Sequence, residues 1–265
     1  MTLAGKDFRL RRLADPGTGH FVILPMDHGV SVGPIAGLED LRAAVGHGAR
    51  GGATSVVVQK GLARAAATAL GRAGLWVHLS ASTALNPDPN DKRLVGTVEE
   101  AVALGADGIS VHVNVGAVEE SRMVEDLGRV ATSCQQWGMP LLAMMYPRGP
   151  AIKDPHKVEY VKHVARLGAE LGADVVKVPY SGSVETFREV VRGCPVPVVI
   201  SGGPRMDSDA ALLQMVQDAM AAGAKGVSIG RNAFQHPHPE GMTRAIAAVV
   251  VEGRKAQEAL KLLKA

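Results

Sequence analysis

Short apolar runs recur along the chain, separated by longer segments in which apolar residues have the spacing of an amphipathic helix. The apolar runs lack the alternation of a half-exposed strand, which is typical of a parallel sheet covered by helices. The pattern predicts strands at residues 21–25, 54–58, 75–79, 108–113, 140–145, 174–179, 197–201 and 226–230. It predicts helices at residues 38–45, 98–104, 118–137, 157–171, 184–192 and 209–222.

A repeated unit supports this assignment. In three segments a helix-like stretch ends at a glycine (Gly105, Gly172 and Gly223), and a strand-like run follows at once. Glycine readily takes the left-handed conformation that ends many helices. A looser copy occupies residues 48–58. Eight strand–helix units in about 250 residues predict an α/β fold, a closed (β/α)8 TIM barrel, rather than an open sheet.

The chain shows no internal boundary. No linker rich in Pro, Gly or Ser and no shift in composition divides it, which predicts a single barrel domain over residues 1–265. Residues 242–264 are expected to form one helix with an apolar stripe that includes Ile246, Val250 and Leu260. This helix could cover the barrel beside the first strand, or it could take part in a subunit contact.

Composition excludes several classes of protein. Hydrophobic residues make up 46% of the chain and charged residues 21%, as in ordinary globular domains. With aromatic residues at 3%, a nucleic-acid surface built on base stacking is not expected. The net charge of +3 is scattered, and the densest basic run, residues 9–12, is expected to be a solvated face. Because the chain has neither the apolar core of a signal peptide near residue 1 nor an apolar run of about 20 residues, we expect a cytoplasmic protein without a membrane partner.

One lysine, Lys177, interrupts the apolar run at residues 174–179. Burial removes water from an ammonium group and disfavours its charged form, so the pKa of Lys177 is expected to fall toward the range where the free amine is available. A free amine is what Schiff-base chemistry requires. A lysine with a buried stem and a head that reaches solvent at the strand end would fit the same pattern.

Polar side chains stand at the ends of most predicted strands, where the active sites of such barrels lie. They are Asp27 and His28 after the first strand, His112 and Asn114 on one face of the fourth, and Tyr146 and Arg148 after the fifth. Asp27 could orient the lysine amine, and Tyr146 could shuttle a proton. Alternatively, they could be a hydrogen-bonded turn aspartate and a tyrosine that fills the barrel mouth. Met144 and Met145 are expected to form an apolar pocket floor.

Glycines follow the last two strands. Ser201, Gly202 and Gly203 end the seventh, and Gly230 and Arg231 end the eighth. Glycine lets the backbone approach an anion, a short helix from Gly230 would direct N–H groups at a phosphate, and Arg231 would supply a bidentate donor. The same glycines would also permit tight turns.

Five motifs resemble the archaeal-type class I aldolases. They are PMDHGVSVGP at residues 25–34, VHVNVG at 111–116, AMMYPRG at 143–149, VKVPY at 176–180 and IGRNAFQ at 229–235. The likeness extends from about residue 8 to 252. It implies that Lys177 forms the Schiff base, that Tyr146 is the proton donor and acceptor, and that Asp27 is its partner near the lysine. It also implies that Ser201, Gly202, Gly203, Gly230 and Arg231 hold the substrate phosphate.

The resemblance leaves the substrate open. Members include fructose-1,6-bisphosphate aldolases and enzymes that join a phosphorylated ketose or triose unit to L-aspartate semialdehyde, as in aromatic amino acid biosynthesis. It implies that His28, His112, Asn114 and Arg148 contact the phosphorylated sugar or the aldehyde acceptor. Arg148 could grip an acceptor carboxylate or brace its loop. The resemblance further implies no cofactor, no metal, and a homo-oligomer such as a ring of ten subunits.

Two other functions remain open at this point. A metal-dependent aldolase could draw ligands from Asp27, His28, His78 and His112, although no two of these histidines have an i, i+4 spacing. A phosphosugar-binding barrel without catalysis would need the glycine loops but not Lys177.

Overall fold

The computed structural model describes residues 4–263 and contains a closed barrel of eight parallel strands with a small antiparallel hairpin beside it. The barrel strands are β1 (Phe21–Pro25), β2 (Ser55–Gln59), β3 (Gly74–His78), β6 (Gly108–Val115), β7 (Leu141–Pro147), β8 (Val175–Val178), β9 (Val198–Ser201) and β10 (Gly226–Ser228). The hairpin strands are β4 (Ser80–Ala81) and β5 (Arg93–Leu94). Around the ring the order is β1, β10, β9, β8, β7, β6, β3, β2. The predicted (β/α)8 barrel is therefore confirmed, and each predicted strand overlaps one barrel strand.

The first helix precedes the first strand, and the other helices lie after strands. In chain order the helices are α1 (Ala4–Leu13), α2 (Gly29–Val32), α3 (Leu41–Arg50), α4 (Ala63–Ala67), α5 (Val98–Ala103), α6 (Glu120–Trp137), α7 (Val158–Glu170), α8 (Val184–Gly193), α9 (Asp209–Ala221), α10 (Arg231–Phe234), α11 (Pro239–Val250) and α12 (Ala256–Leu260). The glycines of the repeated unit have positive φ, at 79° for Gly105, 100° for Gly172 and 102° for Gly223, as predicted. No helix in this part of the chain has both the length and the apolarity that crossing a bilayer requires.

Alternate residues of each strand point into the barrel. These inward residues are apolar at one end of the barrel and polar at the other. Toward the strand N-termini, inward side chains such as Ile23, Val57 and Trp76 form one buried cluster. Toward the strand C-termini the buried residues are polar, among them Gln59, His78, Ser110, Lys177 and Ser228. The polar end is where the predicted chemistry lies.

Helix α1 was not predicted, and it closes the apolar end of the barrel. Its Leu13 is fully buried in the interior cluster. Two ion pairs anchor it to residues that precede strands: Lys6 Nζ lies 2.8 Å from Asp174 Oδ2, and Arg12 Nε lies 2.8 Å from Asp107 Oδ1. Within the predicted basic face, Arg11 and Arg12 are exposed.

The C-terminal segment is two helices, so the prediction of one helix over residues 242–264 is wrong. Helix α11 ends at Val250, and Gly253 has a φ of 68° while the Arg254 N–H donates to the Ala248 oxygen at 3.0 Å. This pattern is a typical glycine stop for a helix. Helix α11 packs against β1, as expected. Lys264 and the outermost limits of the predicted domain lie outside the described residues.

Candidate active site

A cavity of about 330 Å³ opens at the polar end of the barrel. It brings together most of the predicted site residues: Lys177, Tyr146, His28, Arg148, Ser201, Gly202, Gly203, Gly230 and Arg231. Asp27, His112 and Asn114 do not line this cavity, but Asp27 is 3.9 Å from the lining residue His28, and the His112–Asn114 pair adjoins the lining residue Tyr146. The cavity is therefore built from the ends of several different strands, as in barrel enzymes generally.

Lys177 lies inside the barrel and is 5% exposed. In the sheet it pairs with Met144 of β7 and with Val199 of β9, and both belong to the interior cluster. An amine in this position has an apolar floor and an opening toward the cavity. The expectation for the two methionines is half wrong, since Met144 points inward whereas Met145 belongs to the layer between strands and helices. The reason is the period of two along a strand.

Asp27 follows β1 and faces two histidines. Its carboxylate oxygens lie 3.7 Å from His78 Nε2 and 3.9 Å from His28 Nδ1. Burial acts to raise the pKa of Asp27, but His78, His28 and Lys177 outweigh it and hold this pKa below its ordinary value. Burial also lowers the pKa of both histidines, while the carboxylate of Asp27 acts to raise it. His78 Nδ1 lies 2.8 Å from Ser110 Oγ, which leaves Nε2 as the ring nitrogen that faces the carboxylate.

Tyr146 lies between a cation and a histidine. The Arg148 guanidinium carbon is 4.3 Å from the centre of the Tyr146 ring, and the His112 ring centre is 4.9 Å from it. His112 Nε2 lies 2.8 Å from Asn114 Oδ1, so the two predicted residues of β6 interact. Burial, followed by the charges of Lys92 and Arg148, places the pKa of His112 well below its usual range.

On the opposite side of the mouth, the glycine loops form a tight concave surface. A Cβ on Gly202 would lie 2.8 Å from Ile229, and one on Gly230 would lie 2.6 Å from the Pro25 oxygen. Arg231 Nη2 donates to the Gly203 oxygen at 3.0 Å. Within residues 4–263, the buried Arg231 Nε and Ser228 Oγ have no hydrogen-bond partner. This surface thus offers a guanidinium and free donors toward the cavity.

Three residues of the site were not predicted. His156 lines the cavity and its Nδ1 lies 2.8 Å from the Tyr180 oxygen. Asn232 donates to the oxygens of Gly202 and Pro204 at 3.0 Å and so holds the two glycine loops together. Ser228 could have been found, because it lies in the predicted strand 226–230 two residues before Gly230, and residues two apart in a strand share a face. His156 lies in a loop, where no periodicity indicates the direction of a side chain.

Two of the four residues considered as metal ligands turn a ring nitrogen to another polar side chain. His78 turns one nitrogen to Ser110, and His112 turns to Asn114. Across residues 4–263, no group of three or more His, Cys, Asp or Glu side chains is arranged to hold a metal ion.

The sequence profile of the DeoC/LacD family aldolases matches residues 21–236. The chain belongs to this family. It is 45% identical to the 2-amino-3,7-dideoxy-D-threo-hept-6-ulosonate synthase of Halobacterium salinarum, over 98% of this chain and 97% of the relative. It is 42% identical to the 2-amino-4,5-dihydroxy-6-oxo-7-(phosphonooxy)heptanoate synthase of Streptomyces griseus, over 92% and 90% of the two chains. The predicted membership of the class I aldolases is thereby confirmed.

Solved structures of fructose-1,6-bisphosphate aldolases agree with the fold. A Schiff-base-forming fructose-1,6-bisphosphate aldolase, studied through its reaction intermediates, superposes with a TM-score of 0.85 at 30% identity, covering 92% of this chain and 99% of its own. An archaeal fructose 1,6-bisphosphate aldolase superposes with a TM-score of 0.84 at 31% identity, covering 92% and 98%.

Proposed function

We propose that this DeoC/LacD family member is a Schiff-base aldolase or transaldolase that joins a unit from a phosphorylated ketose or triose to L-aspartate semialdehyde. The observation that carries the proposal is the position of Lys177, which is buried in the barrel and opens into a cavity shared with Tyr146 and the glycine loops. A structural relative has its catalytic lysine covalently bound to the carbinolamine intermediate of its substrate.

In the proposed reaction, the amine of Lys177 attacks the donor ketone, and loss of water from the carbinolamine gives an iminium ion. The iminium accepts the electron pair when the neighbouring carbon loses a proton, or when a carbon–carbon bond breaks, and an enamine results. The enamine then attacks the acceptor aldehyde, and water releases the product and the lysine. Tyr146 moves the proton to and from the substrate oxygen, while the ionised Asp27 orients the lysine amine.

The donor phosphate is proposed to bind at Ser201, Gly202, Gly203, Gly230 and Arg231. Support comes from the unpaired donors Arg231 Nε and Ser228 Oγ within residues 4–263, since buried polar atoms normally have partners. It also comes from the two glycines at which a Cβ would collide with the surrounding backbone or side chain. His28, which lines the same cavity beside Gly230, is proposed to contact the donor.

The acceptor is proposed on the basis of the synthases. Both product names describe a carbon chain with an amine beside a carboxylate at one end and a ketone near the other. Disconnection of the aldol bond in such a chain leaves L-aspartate semialdehyde as the acceptor. The structural relatives favour a second candidate, cleavage of fructose 1,6-bisphosphate. His112, Asn114 and Arg148 are proposed to face the acceptor in either case, in a homo-oligomeric enzyme.

The test offers the purified protein dihydroxyacetone phosphate or a ketose 1-phosphate together with L-aspartate semialdehyde, and fructose 1,6-bisphosphate alone, and identifies products by mass. A product that retains phosphate would match the phosphonooxy group in the product name of the Streptomyces griseus relative, and a product without phosphate would match the product name of the Halobacterium salinarum relative. Borohydride should trap the donor on wild-type protein but not on Lys177→Met. The matched control is Lys162→Met, an exposed lysine on α7, which should be trapped like the wild type. Equal trapping on Lys177→Met would contradict the proposal.

A further inference from the structure

Lys92 is a half-buried lysine at the barrel mouth that no step above uses. It lies just before β5 in the hairpin that follows β3. Its Nζ lies 2.5 Å from Ser82 Oγ, and Ser82 in turn donates to the Pro89 oxygen at 2.8 Å. The ammonium is therefore held within the hairpin rather than extended into solvent.

The backbone on both sides of Lys92 is fixed to the barrel. Asn114 Nδ2 donates to the Asn90 oxygen at 2.8 Å, and Arg122 Nη1 of α6 donates to the Lys92 oxygen at 3.1 Å. Arg122 also pairs with Asp91, and Asp91 pairs with Arg93 at 2.9 Å. The carboxylate next to Lys92 in sequence is therefore already neutralised by two arginines.

Positive charge is concentrated around Lys92. Burial and then the charge of Arg148 lower the pKa of Lys92, while Asp27 acts in the opposite direction. The negative charge of Asp27 also interacts with His78, His28 and Lys177, so it does not offset Lys92 alone. This side of the mouth thus carries more positive than negative charge, which favours an anionic ligand group.

The strand order places this charge across the barrel from the glycine loops. In the ring, β10 lies opposite β6, and β9 lies opposite β3. The glycine loops follow β9 and β10, whereas the hairpin with Lys92 follows β3 and is bonded to Asn114 of β6. A substrate with an anion at each end would therefore span the mouth between two cationic sites.

We infer that Lys92 binds the anionic group of the acceptor aldehyde, which in the proposed reaction is the carboxylate of L-aspartate semialdehyde, and thereby selects charged acceptors. This inference rests on the proposed function, because it assumes an aldehyde acceptor. It assigns the main anion contact to a rigidly held ammonium, with Arg148, which is exposed at the rim, beside it.

The test compares acceptors in Lys92→Met, which keeps the side-chain length and removes the charge. The KM for L-aspartate semialdehyde and for glyceraldehyde 3-phosphate should rise about ten-fold or more, since a charge-assisted hydrogen bond is lost. The KM for the uncharged propanal should not change. Borohydride trapping of dihydroxyacetone phosphate should match the wild type, which also shows that the variant is folded. Lys92→Arg should restore much of the preference for charged acceptors.

The matched control is Lys153→Met, which removes one positive charge from an exposed lysine on the loop after β7. It should leave all three acceptors unchanged. An unchanged KM for the charged acceptors in Lys92→Met, or an equal loss for propanal, would overturn the inference while leaving the proposed function intact. Wild-type protein that traps no donor and condenses no aldehyde would overturn the proposed function and this inference together. Activity with glyceraldehyde 3-phosphate but not with L-aspartate semialdehyde would change the acceptor in the proposed function, and the charged-to-uncharged comparison would still decide the role of Lys92.

Discussion

Leu13 is expected to be a principal contributor to stability although it lies at the opposite end of the barrel from the chemistry. It is fully buried. A Cβ on Gly74 would lie 2.9 Å from one Cδ atom of Leu13, and a Cβ on Gly108 would lie 3.0 Å from the other, so any larger residue at these positions would crowd the leucine. The first residues of two neighbouring strands thus form a socket for one leucine. Leu13→Ala would leave a cavity that closed strands cannot collapse to fill, with a loss of about 4 kcal/mol. For 265 residues, the midpoint of thermal unfolding should fall by about 7 °C.

The assay is urea unfolding followed by circular dichroism, with differential scanning calorimetry for the midpoint. The matched control is Leu104→Ala, because Leu104 is 40% exposed at the end of α5 and should change stability by less than about 1 kcal/mol. Aldol turnover well below the midpoint should be unaffected in both variants, since the polar end of the barrel is intact. A loss of under about 1 kcal/mol in Leu13→Ala would refute the assignment of α1 as the plug of the barrel.

Two further predictions concern proton transfer and pH. In Tyr146→Phe, borohydride should still trap the donor on Lys177. Product should form about 10²–10⁴-fold more slowly in single-turnover kinetics, because general acid–base catalysis is lost. A rate within two-fold of wild type, about 0.4 kcal/mol, would contradict the role of Tyr146. Burial lowers the folded-state pKa of His78 and His112, so below the ordinary histidine pKa of 6.5 the unfolded chain binds protons that the folded chain does not. Stability should therefore be full above about pH 7 and fall as the pH is lowered, by up to about 1.4 kcal/mol per pH unit for each histidine. His112→Gln should flatten the dependence of the unfolding midpoint between pH 7 and 5.5, and a slope identical to wild type would contradict this origin.

The barrel could be predicted because each strand is a short apolar run, often bounded by glycine or proline, that is recognisable from neighbouring residues alone. Helix α1 could not, because half of its residues are charged and its stability comes from distant partners. Lys6 is buried against Asp174, and Arg12 pairs with Asp107, residues far away in the sequence. The C-terminal helix break was missed for a local reason, since a single glycine, Gly253, ends the helix inside an otherwise helical composition.

The candidate site divides in the same way. Lys177, Tyr146 and the glycines lie in or directly after predicted strands, so the topology alone brings them to one end of the barrel. Met145 shows that a residue next to a site residue in sequence need not belong to the site, since neighbouring residues of a strand point to opposite faces of the sheet. Lys92 lies in a hairpin loop whose position depends on bonds to Asn114 and Arg122, and no pattern in the sequence indicates that its ammonium reaches the mouth.

The order of groups around the ring supports one orientation of the substrate. The glycine loops follow β10 and β9, Lys177 is on β8, Tyr146 is on β7, and Lys92 is fixed to β6. In the proposed product, the donor phosphate, the former ketone, the new carbon–carbon bond with its hydroxyl, and the acceptor carboxylate occur in the same order along the chain. A substrate lying across the mouth would therefore place each group beside the side chain proposed to act on it. Because the reverse orientation would bring the carboxylate to the glycine loops and move the ketone away from Lys177, the two proposed anion sites would fix the direction of binding as well as its strength.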